Sequence, residues 1–354
     1  MMPPMNLLRL HHGGPDQPER SLSKLLQRMV DASGPGDRIT WVTYYFRDRT
    51  LARALIAASE RGVQVSLLVD GSPRRRHAND AVLAMLQAQG LGGGLSVHRK
   101  PAWGRKLHPH LHAKLYVFAG QQPRALIGSF NPSGDEPEEA PDVIAEIGDQ
   151  DRGHNMLVEI SDPALVAALE QQAGHWRRHS GSALLRFHAL QNRMLQSPLL
   201  RLWFYPRLRT GVVEPELAKL QRGDQVRGAL SHVKPGPFTR ALAAAAARGV
   251  QVNLIVHDTE RRVPEAMLQQ LAGQGIRVRR YRHAQGLPMH AKFLLLQGRE
   301  VHSAFFGSFN FNTRSRLLNI EILACSSDPE VLAQLHARFD ALEHEAQMQQ
   351  HPPT

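Results

Sequence analysis

Cysteine is almost missing from this chain. Cys325 is the only one in 354 residues, which excludes an intrachain disulfide and suits a reducing compartment. Long hydrophobic runs are missing as well: nowhere do about 18 apolar residues follow one another, the length a membrane-crossing helix requires. The opening stretch, MMPPMNLLRLHHGG, has neither a continuous apolar core of signal-peptide length nor a small-residue cleavage site behind one. A cytoplasmic location is the simplest expectation. Acidic residues are outnumbered, 32 Asp and Glu against 43 Lys and Arg, for a formal charge of +11. Such an excess favours polyanionic partners, nucleic acid or an anionic membrane face, unless it only solvates exposed surfaces. The remainder is ordinary for a globular protein, 42% apolar and 21% charged, and the length suffices for two domains or two fused half-domains, each with its own core.

What the chain does have is a duplication. Residues 53–69, RALIAASERGVQVSLLV, match residues 240–256, RALAAAAARGVQVNLIV, at twelve of seventeen positions without a gap, at an offset of 187. HAK recurs at His112–Lys114 and His290–Lys292, and GSFN at Gly128–Asn131 and Gly307–Asn310. Order and spacing are kept, as in two homologous halves. Each half reads as a strand (Ile39–Phe46; Val226–Leu230), then a helix with apolar residues at helical spacing (50–61; 237–248). A Gly (Gly62, Gly249) then suits the helix end by adopting positive φ. A near-continuously apolar strand follows, of the kind a parallel sheet buries on both faces, then a second helix (79–89; 264–272). The alternation predicts an α/β fold: two duplicated half-domains, each a mixed, mostly parallel sheet flanked by helices, packed about a pseudo-two-fold axis. The halves are placed at 19–182 and 226–345 with a connecting segment at 183–225. About 18 residues at the start and the tail after 345 are expected to be loose.

The motifs that recur carry chemistry. LYVF and RALI read as two strands turning near Ala119–Pro123, and the second copy turns near Gly298. On a strand, residues i and i+2 share a face, so His112 pairs with Lys114, His290 with Lys292, Ser129 with Asn131 and Ser308 with Asn310. Phe130 and Phe309 then turn into the core. A hairpin brings its ends together, and two such clusters meeting across an axis would form one pocket of imidazoles, ammonium groups, carboxamides and hydroxyls. That inventory suits a phosphodiester. Lysines neutralise its oxygens and Asn and Ser donate hydrogen bonds to them. One neutral His attacks phosphorus, and the other, protonated, serves the leaving oxygen and then takes a proton from the incoming water or alcohol. The neighbouring lysines should depress both imidazoles. No carboxylate cluster accompanies the motifs, so neither metal nor cofactor is called for. His108-Pro-His110-Leu-His112 is a zinc-like triplet that lacks a fuller ligand set.

At these residues the chain resembles the phospholipase D superfamily, enzymes with paired HKD motifs, over about residues 20–340. The resemblance implies a phosphohistidine on His112, His290 as general acid and base, and Lys114, Lys292, Asn131 and Asn310 around the phosphoryl group, with Ser129 and Ser308 assisting. FNTRSRLLNIEI, ending in Ile322, is similar to the C-terminal half of bacterial cardiolipin synthases and implies that Glu321 bonds a motif histidine. The first half offers Asn155 or Glu159 for the same task. The Asp that commonly follows HxK in the family is replaced by Ala119 and Gln297, which implies a changed support for the site.

Substrate class is less defined. A phospholipid, with a peripheral contact at the inner face of an anionic membrane, is the leading expectation. A metal-independent endonuclease and a non-catalytic binder of anionic lipid or nucleic acid are the alternatives. Leu199–Arg209, LLRLWFYPRLR, suits either a peripheral membrane contact or a packed linker between the halves. Arg74, Arg75 and Arg76, and Trp103 with Arg105 and Lys106, are the candidate substrate-binding residues. They could hold lipid headgroups, or track a nucleic-acid backbone with Trp103 stacked on a base, or lie in solvated loops. The residues leave the oligomeric state open.

Overall fold

A computed structural model of the chain describes residues 7–91, 93–99 and 109–350. The first sheet is built from β1 (Leu8–Gly13), β2 (Arg38–Thr43), β3 (Gln64–Asp70), β4 (Leu95–His98), β5 (Leu115–Ala119), β6 (Arg124–Gly128) and β7 (Asn155–Ile160). The second takes β8 (Met194–Gln196), β9 (Leu200–Tyr205), β10 (Gln225–Leu230), β11 (Gln251–His257), β12 (Arg277–Tyr281), β13 (Lys292–Gln297), β14 (His302–Gly307) and β15 (Glu321–Ser326). Strand orders are β1-β7-β6-β5-β2-β3-β4 and β12-β11-β10-β13-β14-β15-β9-β8. The duplication is therefore a duplication of topology.

The fold is α/β and both sheets are mixed, but antiparallel pairings predominate. Among the described strands only β2-β3-β4 and β10-β11-β12 run parallel. The apolar strands VQVSLLV and VQVNLIV do lie in parallel neighbourhoods, joined through the helices Arg49–Glu60 and Pro237–Ala247. The hairpins β5-β6 and β13-β14, and the strands returning beside them, add the antiparallel majority. A hairpin needs only a tight turn, whereas a parallel step needs a crossover helix. Gly62 and Gly249 end the crossover helices at φ 92° and 90°, a region where a Cβ is disfavoured.

Alternation along the hairpin strands divides the apolar residues between two cores. Leu115 and Val117 of β5, with Phe293 and Leu295 of β13, enter one core shared by both halves. The intervening Tyr116 and Phe118 pack outward in the first half, and Leu294 and Leu296 outward in the second. Helix Pro163–His179 and helix Pro329–Gln350 complete the shared core through Leu169, Trp176, Leu335 and Phe339.

Three segments depart from the reading of the sequence. Leu8–Gly13 is an ordered edge strand paired with β7, and the chain stays helical to Gln350; neither terminus is loose there. The segment 183–225 supplies β8 and β9 to the second sheet. Leu199–Arg209 is mostly β9, paired along its length with β15, with Leu202, Phe204 and Tyr205 fully buried. The apolar residues of β9 belong to a core strand, whereas Leu199 and Leu208, at the two ends of the segment, are exposed. Leu184, Phe187 and Met194 are the other exposed large apolar side chains of this region. The alternation of Arg with large apolar residues belongs to a strand held between β15 and β8, the packed alternative of the two readings.

Candidate active site

Each HxK segment leaves its own half to pair with the other. His112 N–H donates to the Ile320 carbonyl at 2.9 Å, and Ile320 N–H returns a bond to His110. His290 N–H donates to the His154 carbonyl at 3.0 Å, and His154 N–H bonds Pro288. The two short parallel bridges hold the motif histidines where the halves meet, and both imidazoles line one cavity of about 330 Å³.

The exchange extends to the side chains. His112 Nδ1 donates to Glu321 Oε2 at 2.8 Å, and His290 Nδ1 donates to Asn155 Oδ1 at 2.9 Å. Both acceptors open the strand that follows GSFN in the opposite half, β15 and β7. An acceptor on Nδ1 sets the tautomer and leaves each Nε2 lone pair free for chemistry. Of the two first-half candidates, Asn155 is the counterpart of Glu321; Glu159 lies further along β7 and pairs with His11 and Arg124. The serines stabilise these acceptors and do not face the cavity. Ser308 Oγ donates to Glu321 at 2.6 Å and Ser129 Oγ to Asn155 at 3.1 Å, while both accept a backbone N–H and are fully buried.

The glycine that opens GSFN has a steric reason. A Cβ on Gly128 would stand 2.1 Å from the Met156 carbonyl oxygen, and one on Gly307 2.4 Å from that of Ile322. Backbone-to-backbone approach at this point lets the serines reach across to the histidine partners. Phe130 and Phe309 are buried in the outer cores, as their alternation predicts.

Lys114 and Lys292 lie beneath the cavity, at 0% and 1% exposure. Each donates Nζ–H to the carbonyl of its own motif histidine at 2.7 Å. Burial is the main cause lowering Lys114 to about 7, opposed by Glu321 and Asp70; burial, then Lys114 and Arg262, push Lys292 well down. His112 is lowered to about 4, by burial first and then Lys114, against the upward pull of Glu321. His290 lies well below its ordinary value through burial and the charges of Lys292 and Arg262. An anion entering the cavity restores proton affinity to all four groups. The carboxamide oxygens are occupied: Asn131 Oδ1 accepts from Tyr45 N–H at 3.2 Å and Asn310 Oδ1 from His232 Nδ1 at 3.1 Å. Asn310 lines the cavity and keeps its NH₂ group as a donor for a ligand, whereas Asn131 is buried and outside the lining.

Of the three arginines proposed from the sequence, only Arg74 lines the cavity. Arg75 is turned to Asp142, and Arg76 is exposed and away from the lining. Trp103, Arg105, Lys106 and His108 lie outside the described residues. The reading missed His232, Lys234, Arg261, Arg262 and Arg314, which line the same cavity, and Glu146, which receives Arg261 and Arg262. A signal was present: the offset of 187 that relates the halves carries Arg74 to Arg261, Arg75 to Arg262 and Tyr45 to His232.

The cavity is thus cationic, lined by two imidazoles whose Nδ1 atoms are already bonded, with Glu146 as the one carboxylate among its described lining residues. The family model described as cardiolipin synthase, PLD-like domain, matches residues 25–176 and 218–343, one segment in each half. The chain belongs to this phospholipase D-like family. Cardiolipin synthase B of Escherichia coli K12 is 28% identical over 308 residues, covering 80% of this chain and 69% of that protein. The cardiolipin synthase B of Shigella flexneri matches to the same extent. Among solved structures, phosphatidylserine synthase from Haemophilus influenzae Rd KW20 superimposes with a TM-score of 0.66 at 13% identity, over 96% of this chain and 86% of that one. Polyphosphate kinase from Porphyromonas gingivalis gives 0.61 at 15% identity over 96% of this chain, which spans half the kinase. At these identities the structural likeness is one of phospholipase D-like fold.

Proposed function

We propose that this phospholipase D-like chain is a phosphatidyltransferase or phosphodiesterase of the cardiolipin synthase type, working on phospholipid through a phosphohistidine. The observation that carries the reading is the crossed pairing of His112 with Glu321 and His290 with Asn155 at one cationic cavity. The pairing is unequal, and the inequality divides the labour. A carboxylate behind Nδ1 stabilises the positive charge that His112 acquires when Nε2 bonds to phosphorus. A carboxamide behind His290 offers no such charge, so its imidazolium gives up a proton more readily.

In the first step His112 Nε2 forms the N–P bond, the bond from phosphorus to the leaving oxygen breaks, and His290 transfers its Nε2 proton to that oxygen. In the second, a water or alcohol oxygen attacks phosphorus, His290 Nε2 accepts its proton, and the N–P bond breaks. Asn310 NH₂ and Arg262, which line the cavity, stabilise the non-bridging oxygens, and Asn131, Lys114 and Lys292 support them from the buried layer. Among the described residues no helix is long and apolar enough to cross a membrane. Contact with the bilayer is assigned to the side chains exposed around the connecting segment. Leu184, Phe187 and Leu208 are 69%, 62% and 58% exposed, and Leu208 N–H is tied to Asn192 of the same region.

The test incubates the purified chain, with EDTA, against phosphatidylglycerol vesicles and separately against single-stranded DNA. Release of glycerol with formation of a diphosphatidyl product is the expected result. Release of the headgroup alcohol without that product assigns hydrolysis. DNA cleavage without lipid turnover would replace this reading with a nuclease. Salt-sensitive binding with no turnover of either would make the chain a binder.

A further inference from the structure

Three histidines gather outside the catalytic cavity, where the first half hands over to the second. His175 and His179 lie four residues apart near the C-terminal end of helix Pro163–His179, on one face of it. His188 opens the short helix Ala189–Asn192 that leads to β8 and β9 of the second sheet. The ring centroids stand 4.1 Å apart for His175–His188, 4.9 Å for His175–His179 and 5.5 Å for His179–His188. One nitrogen from each ring lies within 4.8 Å of the other two. His175 is 1% exposed, and its Nε2 has no hydrogen-bond partner. A buried imidazole nitrogen without a partner is unfavourable, and two further imidazoles converge on it. From this geometry we infer that His175, His179 and His188 form a zinc-class metal site that clamps the first half to the segment entering the second.

The donor set selects the metal. Three neutral nitrogens suit Zn²⁺, Co²⁺, Ni²⁺ or Cu²⁺, and among the clustered ligands there is no oxygen for Mg²⁺ or Ca²⁺. Tetrahedral zinc at about 2.0–2.1 Å from each nitrogen needs ligands roughly 3.3 Å apart. Small rotations of the two exposed rings, His179 and His188, close the difference while His175 stays packed. His188 Nδ1 now accepts a 3.3 Å bond from Leu190 N–H. Metal on either nitrogen gives that long bond up, directly at Nδ1, or at Nε2 because the proton then moves to Nδ1. The exposed side leaves the fourth position to water. The ion would act on stability, by binding the folded chain and not the unfolded one.

The experiment titrates Zn²⁺ into the dialysed full chain by calorimetry, with bound metal counted by elemental analysis and melting followed in parallel. Wild type is expected to bind one equivalent with a Kd of about 10 µM or tighter and to melt at least about 3 °C higher with excess zinc. His179→Gln removes an exposed ligand, and His188→Asn removes another while keeping a helix-capping side chain. Each should weaken that equivalent at least about tenfold, at one ligand of three, with metal-free melting and turnover unchanged. The catalytic variants His112→Ala and His290→Ala should retain it. Failure of wild type to take up zinc at about 100 µM overturns the proposal. So does retention of the equivalent in both His179→Gln and His188→Asn, or its loss in His112→Ala or His290→Ala, which would put the ion in the catalytic cavity.

Discussion

Replacing Glu321 by Gln isolates the charge behind His112 with little change in shape. Glu321 is fully buried and accepts from His112, Ser308, Ser315 and Asn319 at 2.8, 2.6, 2.7 and 3.3 Å. Burial alone would raise its carboxyl group, but His112, then Lys114 and Ser308, outweigh burial and hold it below the usual range. It is therefore an anion behind His112 in the attack proposed above. Two unit charges about 4 Å apart at an effective dielectric constant of 20 interact by about 4 kcal/mol. A carboxamide recovers part of this, because a neutral hydrogen bond retains about 0.5–1.5 kcal/mol where a charged one gives about 1.5–3. The net loss in the transition state is about 2–4 kcal/mol, or roughly 30- to 1000-fold in kcat/KM. Gln also turns one N–H towards Asn319, so modest destabilisation is expected and melting is measured alongside. The assay is single-turnover cleavage of bis(4-nitrophenyl) phosphate, a soluble diester that needs no membrane. The acid limb of the pH profile should move too: without the carboxylate His112 is more easily kept neutral, so activity persists to lower pH. A folded Glu321→Gln enzyme within about threefold of wild type would show that His112 develops no charge for Glu321 to stabilise.

Three further outcomes follow from the same geometry. With the 4-nitrophenyl diester, whose leaving group needs no acid, His290→Ala should still accumulate phosphorylated enzyme, whereas His112→Ala should form none; trapping in acid-free quench and mass spectrometry reads this, and the reverse pattern would exchange the two roles. Gly128→Ala drives a Cβ into the Met156 carbonyl oxygen, displacing Ser129 and Asn131 and costing about 1–3 kcal/mol of stability; an unchanged urea midpoint would mean that the strands part freely. Stability should also fall with acidification. His112 at about 4, His12 at about 3, and His232 and His290, both held well below the ordinary value by burial, are neutral when folded but protonate near 6.5 when unfolded. The unfolded chain then binds more protons, so this stability is intact above pH 6.5 and is lost as pH falls towards 4, by up to about 3 kcal/mol for His112 alone. A urea midpoint constant between pH 7 and 5 would contradict it.

The paired motifs, the hairpins that carry them and the crossover helices were all legible in the residues, because periodicity and internal repetition are local. Helix Arg49–Glu60, read as 50–61, and helix Pro237–Ala247, read as 237–248, came within a residue. Sheet direction was less legible: continuous apolar strands speak of burial on both faces, and burial does not distinguish parallel from antiparallel neighbours. Leu199–Arg209 was read by composition, where its pairing with β15 decides its place.

From the sequence by itself came the duplication, the α/β class and the residue types that can cleave a phosphodiester, since spacing on a strand decides which side chains share a face. Only the tertiary structure decided which acceptor stands behind which histidine. Glu321 serves His112 and Asn155 serves His290, each across the boundary between halves. It also gathered Arg261, Arg262 and His232 with Arg74 around one cavity, and brought His188 to His175 and His179. Such contacts join residues far apart along the chain, and no local preference encodes them. They exist because two sheets must bury one shared core, and that packing sets every distance across it.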